Sequence, residues 1–188
     1  IVVPRRKRLD PDKWELTEVD RPPVDYMYIA YPYESPFDRR CGLYGGGIDK
    51  QRAEDNKDVL IDETMSMQGS CYFMKKAYWN KLLPDGLDVE NYGQFNHEAQ
   101  ELHFAAQLSG GKLMVNKKTW YAHFHKGRKG KGYNFTTEQY KRFETAKEKA
   151  RRYCMNYWLK QPGFDELIAR FDPPGWGEDW RKRIKKAA

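Results

Sequence analysis

Apolar residues recur at helical spacing in the central part of the chain. Phe95, Ala99, Leu102 and Ala106 are separated by steps of four, three and four, so they share one face of a helix. The polar segment Asn91–Asn96 opens this predicted helix, which runs to about Leu108. A glycine pair directly after Ser109 is a typical helix end.

Two more helices are predicted towards the end of the chain. Hydroxyl side chains at Thr136-Thr137 supply caps for a long helix that ends near Trp158. A shorter helix begins at Gly163 and ends before the break Pro173-Pro174-Gly175. The apolar stripes of the two helices are Phe143, Ala146, Ala150, Tyr153 and Tyr157, and Phe164, Leu167, Ile168 and Phe171.

Short segments rich in apolar and aromatic residues predict strands between these helices. Pro32 restricts one of them to a sheet edge. A short helix is predicted at Lys75–Lys81, before a Pro-Asp-Gly turn. The predicted strands are Ile1–Pro4, Tyr26–Tyr33, Met65–Phe73, Lys112–Val115 and Thr119–His123. Strands mixed with helices predict an α/β fold in residues 1–132, followed by a helical C-terminal extension with a basic tail in residues 133–188.

The segment Glu34–Asp62 has the least regular pattern. It contains Gly45-Gly46-Gly47 and many charged residues. A loop of this length in a compact domain is usually functional or mobile, so we expect a flexible insertion near a substrate. A disordered surface loop fits the same pattern.

Composition narrows the class of protein. The 188 residues include 39% hydrophobic and 15% aromatic residues, too many for a disordered chain. No apolar run reaches the roughly 18 residues that a membrane-spanning helix needs. Three cysteines without a spacing motif argue against a disulfide framework and favour a reducing, cytoplasmic location. The strand-like start without Met suggests a piece of a longer chain.

The formal net charge of +7 suggests an anionic partner. Nucleotide-sugar phosphates, nucleic acid and an acidic polymer all fit this charge, and so does a surface that only keeps the protein in solution.

Two pairs of titratable residues are candidates for chemistry. His123 and His125 point the same way if they lie on a strand, where they could hold a metal ion or pack as aromatic side chains. Glu98 and Glu101 lie near the start of the central helix. They could act as an acid/base or hydroxyl-binding pair, or only compensate the helix dipole.

The loop His125–Gly132 interleaves four cations with glycines. Lys126, Arg128 and Lys129 begin it, in a backbone free enough to wrap a phosphate. The loop lacks the spacing of a P-loop, and a solvated run of charges is the alternative.

The stretch from Gly69 to Lys126 resembles the C-terminal half of the catalytic domain of GT-A glycosyltransferases. Family 2 enzymes and the polypeptide N-acetylgalactosaminyltransferases are the nearest forms. These carry a Gly-Gly-Leu-Phe strand, a Trp-Gly-Gly-Glu-Asn-Leu-Glu helix start, a Cys-Gly-Gly turn and a Val-Gly-His-Val-Phe-Arg-Lys strand. The corresponding pieces are Gly69–Trp79, Phe95–Glu101, Ser109–Gly111 and Tyr121–Lys126, in the same order, and they cover roughly a third of the chain.

The resemblance implies a GT-A type fold, with a mixed sheet flanked by helices, in which residues 1–132 are the acceptor-side part of the catalytic domain. It also implies roles for particular residues. His123, with His125 as a second candidate, would bind the divalent metal, Mn²⁺ or Mg²⁺, that holds the donor diphosphate. Glu98 or His97 would orient or deprotonate the acceptor hydroxyl. The acceptor and sugar would contact Gly69, Ser70, Phe95 and Glu101, although the family carboxylate that Glu101 matches is more often a structural partner. The diphosphate would contact Lys126, Arg128 and Lys129.

The sequence departs from the family pattern in two places. The family's Asp-X-Asp is missing, because Asp10-Pro11-Asp12 follows the first strand and contains a proline. The donor-binding segment should therefore lie upstream of Ile1 or on another chain. Inverting members often have an Asp after the Glu, where this chain has Ala99, so retention and inversion both remain open.

The sequence thus favours a metal-dependent glycosyltransferase that uses a nucleotide sugar, with a UDP-sugar as the expected donor. Its acceptor would carry a hydroxyl, and a polyanion such as DNA with hydroxylated bases would fit the positive charge. The alternative is a non-catalytic nucleic-acid-binding module on a degenerate transferase fold, supported by the positive charge and the many aromatic residues.

Overall fold

The structure is a computed structural model that describes residues 1–10, 12–17, 22–33, 42–92, 98–124 and 136–187. These residues form a mixed α/β fold, in which a small mixed sheet is flanked by helices. The coarse fold class predicted from the sequence is therefore confirmed.

The larger sheet has the strand order β1 (Val2–Leu9), β5 (Met114–Phe124) and β4 (Ile61–Glu63). β1 runs parallel to β5, and β4 runs antiparallel to it. The register between β1 and β5 shifts after Pro4, which pairs with Asn116, while Arg5 pairs with Trp120. The two strands predicted at Lys112–Val115 and Thr119–His123 are thus one strand with an irregularity in its middle.

β1 extends through the basic cluster Arg5–Arg8, beyond the predicted Ile1–Pro4. On its other edge, Arg6 exchanges both backbone hydrogen bonds with Val24, at 3.1 and 2.8 Å. Strand pairing on both sides therefore keeps Arg5–Arg8 in an extended strand, although the composition of this cluster is typical of a charged loop.

A second sheet joins β2 (Met27–Tyr28) to β3 (Gly47–Ile48), so only two residues of the predicted strand Tyr26–Tyr33 are paired as a strand. α1 (Lys50–Asp55) follows, with Asp49 as its N-cap. The description as a flexible loop is wrong for this part of Glu34–Asp62. Leu43 is fully buried, and the glycines at 45 and 47 leave no room for a Cβ beside His103 and Tyr28.

The predicted strand Met65–Phe73 is also wrong. Only Ser66 and Phe73 form bridges, to Met27 and Val2. The Gly69-Ser70 turn lies between the two bridges and interrupts the strand pattern. Met65 and Met67 are buried, so the apolar pattern reports burial and not strand pairing.

The predicted helices agree with the structure where it describes them. α2 (Lys76–Leu82) is followed by a turn with φ of 85° at Gly86, and α3 (Val89–Tyr92) comes next. α4 (Glu98–Leu108) buries Ala99, Leu102 and Ala106, as the stripe predicts, and φ at Gly110 is 79° after its end.

The C-terminal helices are α5 (Thr137–Asn156), α6 (Phe164–Phe171) and α7 (Trp180–Ala187), with a 3₁₀ turn at Trp158–Lys160. Thr136 and Gln139 form a capping box at the start of α5. Of its predicted apolar stripe only Ala150 is buried, while Phe143, Ala146 and Tyr153 are half-buried and Tyr157 is 42% exposed. The stripe of α6 is buried at all four predicted positions.

The larger hydrophobic core takes residues from both parts of the chain. Tyr28, Ile29, Leu43 and Phe104 come from the first part, and Trp176 from the second. The fully buried Trp176 indole donates to the Ile29 carbonyl at 2.8 Å. Two further aromatic residues, Phe164 and Trp180, pack against Trp176 with ring centroids 5.9 and 5.0 Å away. The helical extension and the sheet region therefore share one interior.

Within the described ranges, no helix is both long and apolar enough to cross a membrane.

Candidate functional site

The carboxylate of Glu98 lies against Gly69. A Cβ placed on Gly69 would collide with Oε1 of Glu98 and would meet the Ala99 methyl at 3.6 Å. Glu98 begins α4 and is half-buried, while Gly69 is exposed in the turn that replaces the predicted strand. The missing side chain at 69 thus makes the space that the carboxylate occupies at the protein surface.

Ser70 connects this carboxylate to the end of β5. Its Oγ lies 2.5 Å from the hydroxyl oxygen of Tyr121, and either group can donate. Tyr121 and His123 are two residues apart on β5, so their side chains point to the same face, and their rings meet edge to face at 6.5 Å. A chain of pairwise contacts therefore links three distant segments, from Glu98 to Gly69, and from Ser70 through Tyr121 to His123.

Two arginines lie on the same face of the sheet. In the parallel register Arg6 pairs with Tyr121 and Arg8 with His123, so all four side chains share a side. Arg6 is only 6% exposed. Burial lowers the pKa of its guanidinium, and the charge of Arg8 lowers it further. Sequence analysis missed these arginines as site residues, because only the strand register reveals that alternate members of the basic cluster flank the histidine.

Glu101 is placed differently. It is buried, and both carboxylate oxygens accept the backbone N–H of Asp88 at 3.1 Å, just before α3. Burial is the main cause that raises its pKa. These contacts give Glu101 a structural role between α3 and α4, and its predicted contact with a sugar has no support from them.

Several predicted site residues lie outside the described residues. They are the candidate base His97, the sugar-contacting Phe95, the second metal candidate His125, and Lys126, Arg128 and Lys129 of the basic loop. The roles expected for them stay predictions.

The metal ion implied by the resemblance can be tested against the donor atoms around His123. Among the described ranges, no group of three His, Cys, Asp or Glu residues could hold a metal ion. The register also pairs His123 with Arg8 and places Arg6 two residues away on the same face. Cations repel a divalent metal, so this part of the site does not fit one by itself, and no chemical step is derived through it.

The opposite face of β1 and β5 carries exposed aromatic residues. Trp120 is 54% exposed, and the Lys7 ammonium lies 4.8 Å from its ring centroid. Trp14 is 71% exposed and stacks on Phe124 at 5.9 Å. Its φ of 57° is unusual for a large side chain.

The described side chains suit the handling of a polar, anionic ligand. The carboxylate of Glu98 can accept a proton or a hydroxyl hydrogen bond. The hydroxyl pair of Ser70 and Tyr121 can donate one further hydrogen bond, because only one of its two protons lies between the oxygens. Arg6 and Arg8 supply positive charge on the same side.

Comparison with protein-family models gives no match for this sequence, and comparison with curated proteins gives none either. The functional interpretation therefore depends on the residues themselves and on how the fold arranges them.

Proposed function

We propose that this chain is the acceptor-side half of a GT-A-type glycosyltransferase domain, which transfers a sugar from a nucleotide-sugar donor to a hydroxyl group. The observation that carries the proposal is the convergence of Gly69, Ser70, Glu98 and the Tyr121–His123 segment. These positions carry the sequence motifs of the family. If the motif matches were accidental, the matched residues would have no reason to be in contact in the fold.

In this reaction Glu98 acts on the acceptor. Its carboxylate orients the attacking hydroxyl and takes its proton, because it is half-buried at the surface and lies beside an exposed turn. The Ser70 and Tyr121 hydroxyls form an exposed pair next to Gly69 in sequence, and this pair can bind a sugar hydroxyl. Binding of Mn²⁺ or Mg²⁺ requires ligands besides His123, and we place them in a donor-binding segment upstream.

Turnover of a nucleotide sugar tests this proposal. The chain, together with any natural residues that precede it, is incubated with UDP-glucose, UDP-galactose or UDP-N-acetylglucosamine, and release of UDP is measured with and without Mn²⁺. We expect Glu98→Gln to lower kcat by about 100-fold or more, as loss of an acid/base group does.

Glu90→Gln is the matched control, since Glu90 is an exposed carboxylate in the first turn of α3. Its kcat should remain unchanged. Absence of UDP release from all three donors, or full activity in Glu98→Gln, would refute the proposal.

The opposite face of β1 and β5 favours a second candidate, binding of single-stranded nucleic acid. Trp14 and Trp120 are available for base stacking, and Lys7 adds charge. The basic tail contributes less than its composition suggests, because Arg181 and Arg183 are paired with Asp165 and Asp179. Salt-dependent oligonucleotide binding that Trp120→Ala abolishes and Glu98→Gln leaves unchanged would support this candidate.

A further inference from the structure

The larger sheet has one covered edge and one open edge. Along β1 the outer edge is closed by isolated bridges near the start, the middle and the end of the strand. On the other side the sheet ends at β4, and no further strand pairs with β4 among the described residues. The free edge of β4 is therefore the place where the backbone of this sheet can meet another chain.

The hydrogen bonds of β4 show which of its backbone groups face outward. Leu60 accepts a backbone hydrogen bond from β5 at 2.8 Å, and Thr64 donates one to Leu113, directly before β5, at 2.9 Å. Hydrogen-bonded residues alternate along an antiparallel pair, so Ile61 and Glu63 direct their N–H and C=O groups away from β5.

The two outward-facing residues differ in their partners. The N–H of Glu63 donates to the carboxylate of its neighbour Asp62 at 2.7 Å, and its C=O accepts from the Arg52 guanidinium at 3.2 Å. Neither backbone group of Ile61 has a hydrogen-bond partner among the residues that the structure describes. Ile61 therefore offers a free donor and a free acceptor at the open edge.

Three consecutive apolar side chains accompany these free backbone groups. Val59, Leu60 and Ile61 are all exposed. Exposed apolar side chains next to unpaired strand backbone are the features with which a sheet edge binds an extended peptide segment, since the backbone supplies hydrogen bonds and the side chains supply apolar contact.

Asp58 indicates the charge of the segment that fits this edge. The carboxylates of Glu54 and Asp62, on either side of it in sequence, form ion pairs within the protein. Asp58 is exposed, and no such ion pair neutralises it in the described part of the chain. A lysine or arginine of an incoming segment would therefore meet an unpaired carboxylate at one end of the opening.

A second copy of the same chain fits this edge poorly. If Ile61 lay opposite Val59 of an antiparallel copy, Asp58 would lie opposite Asp62, and like charges at opposite positions are unfavourable. If Ile61 lay opposite Ile61, Val59 would lie opposite Glu63, whose backbone groups are already bonded. An extended segment of a different polypeptide is thus the favoured occupant.

We propose that the edge at residues 59–61 binds an extended segment of a partner protein, which adds a strand beside β4. The segment has alternating apolar residues flanked by lysine or arginine. Its backbone pairs with Ile61, its apolar side chains cover Val59 and Ile61, and its cation pairs with Asp58. The interaction does not depend on the proposed transfer reaction, because it uses no residue of that site.

The probe is the synthetic peptide acetyl-Lys-Val-Thr-Val-Lys-amide, titrated into the whole, isotopically labelled chain and followed by NMR. We expect the amide signal of Ile61 to shift, because its N–H gains an acceptor. The same peptide with Glu in place of both Lys should bind about 2- to 5-fold more weakly, since an exposed ion pair contributes that much.

Substitutions at the edge should change binding in a defined order. Ile61→Pro removes the outward N–H, which a sheet edge tolerates, and should weaken binding by about 10-fold, the upper end for one lost hydrogen bond. Should this variant fail to fold, Ile61→Lys keeps the N–H and repels the basic peptide, so it should also bind more weakly. Val89→Lys is the matched control, because Val89 is likewise exposed and apolar but lies on α3.

The proposal is overturned if the peptide leaves the Ile61 signal unchanged, if its Glu form binds equally well, or if Val89→Lys weakens binding as much as the Ile61 variants. A dimer in sedimentation equilibrium that Ile61→Lys dissociates would also overturn it, since a second copy would then occupy the edge. Glu98→Gln should bind the peptide normally, so failure of the transfer reaction and failure of the docking edge give different results.

Discussion

The contact between Gly69 and Glu98 can be measured through stability, without any assumption about catalysis. An alanine Cβ at position 69 would occupy the place of the Glu98 carboxylate oxygen. The φ of Gly69 lies outside the left-handed range, so its backbone accepts an L-residue. The two effects of Gly69→Ala therefore oppose each other, and which one dominates depends on the side chain at 98.

The magnitudes follow from these two effects. In a Glu98→Ala background the space is empty, and Gly69→Ala should stabilise the fold by about 0.4–1 kcal/mol, because it restricts the unfolded chain. With Glu98 present, the carboxylate must rotate away, which removes this gain. The collision involves the end of a flexible side chain, so the net change should stay within about 1 kcal/mol. We expect a coupling energy between the two sites of about 1 kcal/mol.

The assay is a double-mutant cycle, in which urea unfolding of the natural chain, both single variants and the double variant is followed by circular dichroism. The loss of favourable charge at the start of α4 in Glu98→Ala cancels in the cycle. Additive effects, within about 0.3–0.5 kcal/mol, would mean that the two residues do not touch, and the proposed site would lose its central contact.

Two further predictions concern the interior. Trp176→Ala should destabilise the fold by about 3–5 kcal/mol in urea unfolding, since the indole is fully buried, while Trp14→Ala, with an indole that is 71% exposed, should cost less than about 1 kcal/mol. His103 gives a pH dependence, because burial lowers its pKa to about 3 from the usual 6.5. As the pH falls, the unfolded chain protonates this histidine near pH 6.5, before the folded chain does. His103 therefore does not lower the free energy of unfolding above pH 6.5, and lowers it by up to about 1.4 kcal/mol per pH unit as the pH falls towards 3. His103→Asn should remove that part of the slope, and identical slopes for the variant and the natural chain below pH 6.5 would contradict the assignment.

The helices could be predicted because the spacing of apolar residues, the capping residues and the terminating glycine all lie within a few positions of one another. The steps of four, three and four through Ala99, Leu102 and Ala106 place these residues on one face whatever they pack against, and the structure buries them. The capping box at Thr136 needs only the residue three positions later. Glycine at 110 ends α4 for an equally local reason, its positive φ.

The site could be predicted only in part, because its geometry depends on contacts between distant segments. The resemblance identified Gly69, Ser70, Glu98 and His123 as candidates. The spacing of residues in the sequence, however, could not predict that the Glu98 carboxylate lies against Gly69. Arg6 and Arg8 were missed because four consecutive basic residues do not show which side chains lie on which face of a sheet. Only the strand pairing shows that. Asp25 neutralises Arg5, twenty residues away in sequence, and no comparable partner among the described residues reaches Arg6.

The shared interior has a consequence for how this polypeptide tolerates shortening. A stop codon at Trp176 would retain every strand that the structure describes, together with Glu98 and His123, but it would remove the indole that donates to the Ile29 carbonyl in the core. A truncation this late should therefore still destabilise the fold. The sheet region depends on the segment around Trp176 to complete its hydrophobic core.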